Sequence, residues 1–175
     1  MNRIFVFSDL HGNIDGLKMV LKRADEENCD LIICAGDIGL DRLGSQRDQI
    51  RNSRIPMILV RGNCDSAWTF PEAGFPIPPK YTIIEFFQRT VFVTHGDVIT
   101  DWRAAPVPLS KKDIFISGHS HIAHLEQSSA GPIVLNPGSV SSPRDHRPPS
   151  YAVITADEIS IKVLRSRRIL KKLML

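Results

Sequence analysis

The chain alternates short apolar runs with polar stops. Ile4-Phe5-Val6-Phe7 ends at Ser8-Asp9, Leu31-Ile32-Ile33-Cys34-Ala35 at Gly36-Asp37, and Met57-Ile58-Leu59-Val60 at Arg61-Gly62-Asn63. Val91-Phe92-Val93 then stops at Thr94-His95, Ile114-Phe115-Ile116 at Ser117-Gly118-His119, and Ile133-Val134-Leu135 at Asn136-Pro137-Gly138. Continuous runs this short, rich in β-branched and aromatic side chains, predict strands buried on both faces rather than helices. Between the first two runs, Ile14, Leu17, Val20, Leu21 and Ala24 fall at helical spacing and predict an amphipathic helix packed on a sheet. A second helix is expected over 48–54. Further on, 82–87 and 91–94 read as neighbouring strands joined by a tight turn near Gln88-Arg89. Residues 151–155 and 159–164 read as a hairpin turning at Ala156-Asp157-Glu158. Strand–helix alternation followed by hairpins predicts an α/β fold: two mixed β-sheets in a sandwich flanked by helices.

The Pro-rich stretch Pro71 to Lys80 predicts a surface loop between the two halves, and Pro148-Pro149 marks another. A single domain is expected over 1–164. The segment 165–175 is basic and amphipathic; it reads first as a solvated or frayed tail, and otherwise as a contact for an acidic partner, RNA or a membrane surface.

Composition narrows the function classes. With 175 residues, 42% hydrophobic and 23% charged, the chain suits one sizeable core. A formal net charge of +3 gives little attraction for a polyanion. No apolar run approaches the ~18–20 residues of a membrane span. The four apolar residues at 4–7 fall short of the roughly 7–15 of a secretory signal, so a cytoplasmic protein is expected. Cys29, Cys34 and Cys64 are odd in number and not closely paired. That argues against a disulfide framework or a zinc-type thiolate site. A metal here must be held mainly by His, Asp and Asn.

Such residues stand where the apolar runs stop: Asp9 and His11, Asp37, Asn63, His95, and His119 with His121. In α/β folds ligands bind outside the carboxyl ends of the strands, so these positions are expected to converge on one rim. Imidazole, carboxylate and amide oxygen suit Mn, Fe, Zn, Ni or Co. A pair of such ions can clamp the oxygens of a phosphoryl displacement and activate water, with no Ser or Cys nucleophile.

Asp9-Leu10-His11, Gly36-Asp37, Gly62-Asn63-Cys64-Asp65, His95-Gly96 and Gly118-His119-Ser120-His121 resemble, in order, the five signature blocks of the calcineurin-like metallophosphoesterase superfamily. Asn136-Pro137-Gly138-Ser139-Val140 further resembles its YfcE-like phosphodiesterase branch. The resemblance implies two divalent ions, most often Mn²⁺. Asp9, His11 and His121 would hold the first, Asn63, His95 and His119 the second, and Asp37 would bridge them. It implies hydrolysis of a small phosphate ester by a metal-activated water, and a homo-oligomer is possible by the same likeness.

Two positions depart from the common pattern. Cys64 stands where many members carry a His that contacts the substrate phosphate and assists the leaving group, although the YfcE-like branch resembles this chain there. Asp97 stands where His-Gly-His is common, adding negative charge that either orients His95 or biases the choice of metal. Asp65 serves either to cap the following helix, to orient a ligand, or in catalysis. Asn63 and Arg144 are candidate substrate contacts, Arg144 by a forked contact to phosphate; an exposed loop Arg is the plainer reading. Asn136-Pro137-Gly138 reads as a tight turn, kept in view for its place near the rim. His124 is expected near the site without being a ligand, and His146 in a loop. Cys34 is expected as an apolar filler. Trp68, Phe70 and Phe75 are expected to pack their loop rather than stack on a base. Two alternatives to the hydrolase remain: a non-catalytic protein-binding scaffold of the same fold, and a nuclease.

Overall fold

The computed structural model describes residues 1–175. Its strands are β1 (Ile4–Phe7), β2 (Leu31–Cys34), β3 (Met57–Leu59), β4 (Tyr81–Phe86), β5 (Arg89–Thr94), β6 (Ile114–Ile116), β7 (His124–Gln127), β8 (Ile133–Asn136), β9 (Ser150–Ile154), β10 (Glu158–Val163) and β11 (Ile169–Met174). They form two mixed sheets: six strands in the order β11-β10-β9-β1-β2-β3, and five in the order β4-β5-β6-β8-β7. β1, β2 and β3 are parallel neighbours, as are β5, β6 and β8.

One core fills the space between the sheets, with Val6, Ile33, Val93, Ile116 and Leu135 at its centre. A second core lies on the other face of the six-stranded sheet. There Phe5, Phe7, Ile32 and Tyr151 meet Leu17 and Val20 of α1 (Ile14–Glu26), Ile50 of α2 (Asp48–Arg51) and Phe70 of α3 (Thr69–Glu72). The strand residues are apolar on both faces because both faces are covered, which is why their sequence shows runs rather than alternation. The outer face of the five-stranded sheet has no α-helix. It carries a small cluster of Phe92, Leu109 and Phe115 under the loop that joins β5 to β6. No helix is long and apolar enough to cross a membrane.

α1 starts where its sequence signal places it. Asn13 caps it by accepting from the Gly16 amide at 2.8 Å, and Leu17, Val20 and Ala24 are buried. Ile14 is exposed, since it sits in the first turn on the solvent side. The second helix is shorter than expected: a 3₁₀ stretch (Leu40–Arg47) leads into the single turn of α2. The hairpin turn falls on Phe87-Gln88, both with left-handed backbone, one residue before the expected position.

The main difference lies at the end of the chain. Residues 165–175, expected as a solvated or frayed tail, contain β11, which pairs antiparallel with β10 from Glu158↔Met174 to Lys162↔Ile169. Leu170, Leu173 and Leu175 pack against the inter-sheet core while Lys171 and Lys172 sit beside them. The mixture of basic and apolar residues that suggested an amphipathic tail belongs to a half-covered edge strand. Arg23 of α1 locks the turn before it, donating from Nε to the Leu164 carbonyl at 2.7 Å and from Nη2 to the Arg165 carbonyl. Deleting 165–175 exposes this core edge and is expected to lower unfolding stability by about 2–4 kcal/mol. Thermal or urea denaturation measures it, and an unchanged midpoint would return the segment to a frayed tail.

Candidate metal centre

Strand register sets the rim. Phe7 is level with Cys34 and Cys34 with Leu59, so the residues following β1, β2 and β3 leave the sheet at one height. Val93, Ile116 and Leu135 are level in the same way in the other sheet. Each set of loops is laced within itself, the Asp9 amide donating to the Gly36 carbonyl at 3.1 Å, His11 to Asp37 at 2.8 Å, and Gly118 to His95 at 2.9 Å, and His95 Nδ1, 2.8 Å from the Ala35 carbonyl, joins one set to the other.

All seven expected ligand positions come together here. His121 Nε2 lies 3.2 Å from Asp9 Oδ1 and 3.3 Å from His11 Nε2. His11 Nε2 is 3.8 Å from Asp37 Oδ2, and His95 Nε2 is 3.3 Å from the same oxygen. Asn63 Oδ1 closes the chain of contacts, 3.1 Å from His95 Nε2 and 3.0 Å from His119 Nδ1. Asp37 Oδ2 therefore faces a histidine on either side.

Five of the seven reach these positions on left-handed backbone: Asp9, His11, Asp37, His119 and His121 all have φ between 50° and 64°. For residues with a Cβ this conformation is costly, and surrounding contacts must hold it. The hydroxyls of Ser139 and Ser141 both donate to the Asp9 carbonyl, at 3.0 and 2.9 Å. Asn136 donates to the Gly118 carbonyl at 2.7 Å and to Ser120 Oγ at 3.0 Å, while accepting from the Gly138 amide at 2.9 Å. It makes its tight turn and also fixes the His119–His121 loop. These supports were hidden in the sequence; the only local hint is the Asn-Pro-Gly-Ser-Val-Ser-Ser run that follows β8.

The site has too many acceptors. His95 Nδ1 lies 2.8 Å from the Ala35 carbonyl and His121 Nδ1 lies 2.7 Å from the Ser142 carbonyl. A carbonyl only accepts, so both Nδ1 atoms carry the proton. In the neutral rings each Nε2 then turns a lone pair toward carboxylate or amide oxygens. Both oxygens of Asp9 are buried without any hydrogen-bond donor. Burial accordingly pushes the Asp9 carboxyl up, against the pull of His121. Burial would push Asp37 up too, but the His95 ring and the Cys64 amide outweigh it and hold this carboxyl well below the usual carboxylate range. The His95 ring is held above its ordinary value: burial opposes this, but Asp37 and the Ala35 carbonyl prevail. Converging lone pairs around donor-free buried oxygens fit a divalent cation. The backbone bond at the far ring nitrogen is the usual support for a metal-ligating His.

Residues 2–158 match the calcineurin-like phosphoesterase superfamily domain. The chain belongs to that superfamily. It is 26% identical to phosphodiesterase YfcE of Escherichia coli (strain K12), over 97% of this chain and 96% of that one. It is 30% identical to the probable metallophosphoesterase YsnB of Bacillus subtilis (strain 168), over 88% and 84%. The solved structure of E. coli YfcE has the same fold, with a TM-score of 0.85 at 24% identity over 98% of both chains. Vps29 of Entamoeba histolytica, solved with Zn²⁺, shares the fold more distantly, with a TM-score of 0.65 at 17% identity over 99% of this chain and 98% of that one. This member of the superfamily is thus a metal-dependent hydrolase of phosphoric esters.

The other expected site residues divide. Cys64 is exposed beside Asn63, and its amide donates to Asp37 Oδ1 at 2.8 Å. Its thiol is pushed up to about 11, by burial and then by Asp37, so it is neutral at pH 7. Asp65 is buried. Its carboxylate accepts from the amides of Gly39 at 2.9 Å, Gly62 at 3.0 Å and Ile38 at 3.3 Å, and it does not cap α3, which begins at Thr69. Arg144 is exposed; its amide donates to the His121 carbonyl at 3.2 Å and its side chain has no partner. Asp97 pairs with Lys80 at 2.7 Å, and Lys80 also donates to the Gly62 carbonyl at 3.1 Å. Burial would push the Asp97 carboxyl up, but Lys80, and then the His95 ring, hold it below its ordinary value. His124 pairs with Glu126 at 3.3 Å and lines a cavity of about 250 Å³ beside His119, together with Thr100, Ser120 and Asn136. Phe70 is fully buried, whereas Trp68 is 76% exposed.

Two measurements follow from this geometry. Mn²⁺ at ~100 times its dissociation constant is expected to stabilise the chelated protein by about 2.7 kcal/mol, read as a rise in melting temperature; no shift would mean that the donor-free oxygens are not a cation site. A Cβ at Gly62 would lie 2.0 Å from Asp37 Oδ1 and 2.5 Å from the Asp37 amide. Gly62→Ala is therefore expected to weaken Mn²⁺ binding by about 10–100-fold in calorimetric titration.

Proposed function

We propose that the chain is a phosphodiesterase acting on a small phosphodiester with two divalent ions, Mn²⁺ first among Mn, Fe, Zn, Ni and Co. One observation carries this reading. His95 and His121 are each tied to a backbone carbonyl through Nδ1; His95 aims Nε2 at Asp37 Oδ2 and His121 aims Nε2 at Asp9 and His11, whose own Nε2 faces the same Asp37 oxygen. Asp9, His11 and His121 would hold one ion, and Asn63, His95 and His119 the other, with Asp37 shared. When bound, the ions supply Lewis-acid activation of the phosphoryl group and of the attacking water.

The chain's own residues do the positioning. The Cys64 amide fixes one oxygen of Asp37 and leaves the other facing His11 and His95. Asp65 is a positioning residue in this reading, joining the loop that carries Asp37 to the loop that carries Asn63. Cys64 contributes its backbone more than its thiol, so leaving-group assistance falls on the substrate's own leaving group. Asn63 and the unpaired Arg144 are the candidate phosphate contacts. The diester preference rests on the likeness to YfcE. Cytoplasmic operation fits three free cysteines, two of them buried.

The test is hydrolysis of an aryl phosphodiester and of the matching monoester, with and without Mn²⁺, at confirmed metal content. Metal-dependent turnover favouring the diester is expected. Asp37→Asn should cut kcat by at least about 100-fold, while Cys64→Ser, which keeps the amide, should stay within roughly 10-fold. Equal losses from both variants would give the thiol a role that this reading denies it.

A further inference from the structure

Asn63 has little support of its own. It is exposed, and its amide and carbonyl make no hydrogen bond. Its place depends on its two neighbours. On one side the Cys64 amide is held by Asp37. On the other, the Gly62 amide donates to Asp65 at 3.0 Å and the Gly62 carbonyl accepts from Lys80 Nζ at 3.1 Å.

Lys80 arrives from the opposite sheet. It immediately precedes β4, and the dipeptide Pro79-Lys80 is bonded on both sides. Toward β3, the Pro79 carbonyl accepts from the Arg61 amide at 2.9 Å, and Lys80 Nζ reaches Gly62. Toward β5, the Lys80 carbonyl accepts from the Thr94 hydroxyl at 3.3 Å, and Lys80 Nζ donates to Asp97 Oδ2 at 2.7 Å. Asn63 follows β3 and His95 follows β5, and their side chains meet at 3.1 Å. The dipeptide therefore ties together the two strand exits whose residues meet. An ammonium on a flexible stem is otherwise drawn to water. Asp97 pins it, and since Asp97 Oδ1 is buried without a donor, loss of Lys80 would leave a half-buried charge unpaired.

The ligands assigned to the other ion hang on different supports. Ser139 and Ser141 hold the Asp9 carbonyl, and the Ser142 carbonyl holds the His121 ring. Lys80 bonds to neither loop.

We infer that Lys80, pinned by Asp97, is a positioning residue that sets Asn63 against His95 for one ion of the pair and leaves the other ion untouched, an assignment that rests on the two-ion reading. Charge alone would act in the opposite sense. An ammonium near a divalent ion repels it, so as a mere charge Lys80 weakens binding and its removal tightens it. As a clasp, Lys80 strengthens binding and its removal loosens one ion.

Calorimetric titration of Mn²⁺ into the chelated full chain separates the two. Wild type is expected to take up two ions. Lys80→Met should weaken one of them by about 10–100-fold and leave the other unchanged. Asp97→Asn, nearly the same in shape, should weaken the same ion and spare the other, and it decides the matter if Lys80→Met does not fold. Hydrolysis of an aryl phosphodiester gives a second readout. Lys80→Met should lose kcat at limiting Mn²⁺ and regain it at saturating Mn²⁺, with KM unchanged. A single ion in wild type would overturn the two-ion reading, and the clasp with it. Two ions in wild type would overturn the clasp alone if Lys80→Met binds both as tightly or more tightly, if either variant loses both ions equally, or if saturating Mn²⁺ fails to restore kcat.

Discussion

Two carboxylate oxygens of Asp9 are buried without a hydrogen-bond donor, and imidazole lone pairs converge on the same space. Elsewhere in a folded protein such an arrangement would be a fault, since unpaired buried polar atoms are strongly disfavoured. Here it organises the rim. The parallel register of three strands in each sheet brings the loops to one height. The Nδ1–carbonyl bonds fix the ring tautomers, and the Cys64 amide divides the two oxygens of Asp37 between support and site. Each feature keeps acceptors facing inward where a cation would neutralise them.

Holding that arrangement costs backbone strain at the rim. Five ligand positions adopt left-handed backbone at about 1–3 kcal/mol each. The offset comes from side chains outside the ligand set: Ser139 and Ser141 on the Asp9 carbonyl, Asn136 on the His119 loop, and Asp65 between the two loops of the six-stranded sheet. Stability and function are thus opposed at the same few residues, which is the usual condition of an active site.

Most of the scaffold was legible because buried strands of this kind announce themselves as uninterrupted apolar runs. β1, β2, β3, β5, β6 and β8 all did so, and the polar residue after each run marked the rim. The two strands that escaped notice lack that signal: β7 buries only Leu125, and β11 mixes lysines with leucines because one side of it faces water. Asp65 could not be read either. Its sequence neighbours left a cap, a ligand-orienting residue and a catalyst all open, because its partners include amides more than twenty residues away in Ile38 and Gly39, which only the folded chain supplies. The serines that support Asp9 were invisible for the same reason. The resemblance to known blocks named candidate ligands, and the surroundings that hold them had to come from tertiary structure.

All α-helices pack on the six-stranded sheet, which leaves the outer face of the other sheet to the loop between β5 and β6. That loop leaves the sheet at His95 and returns to it at β6, whose far end leads to His119. It can grow, shrink or change composition without disturbing either large core, because its one buried apolar residue, Leu109, packs only with Phe92 and Phe115 in a small separate cluster. Diversification of this scaffold toward new substrates has an open route there: the mouth of the cleft can be remodelled while the ligand-bearing strands on both sides stay in register.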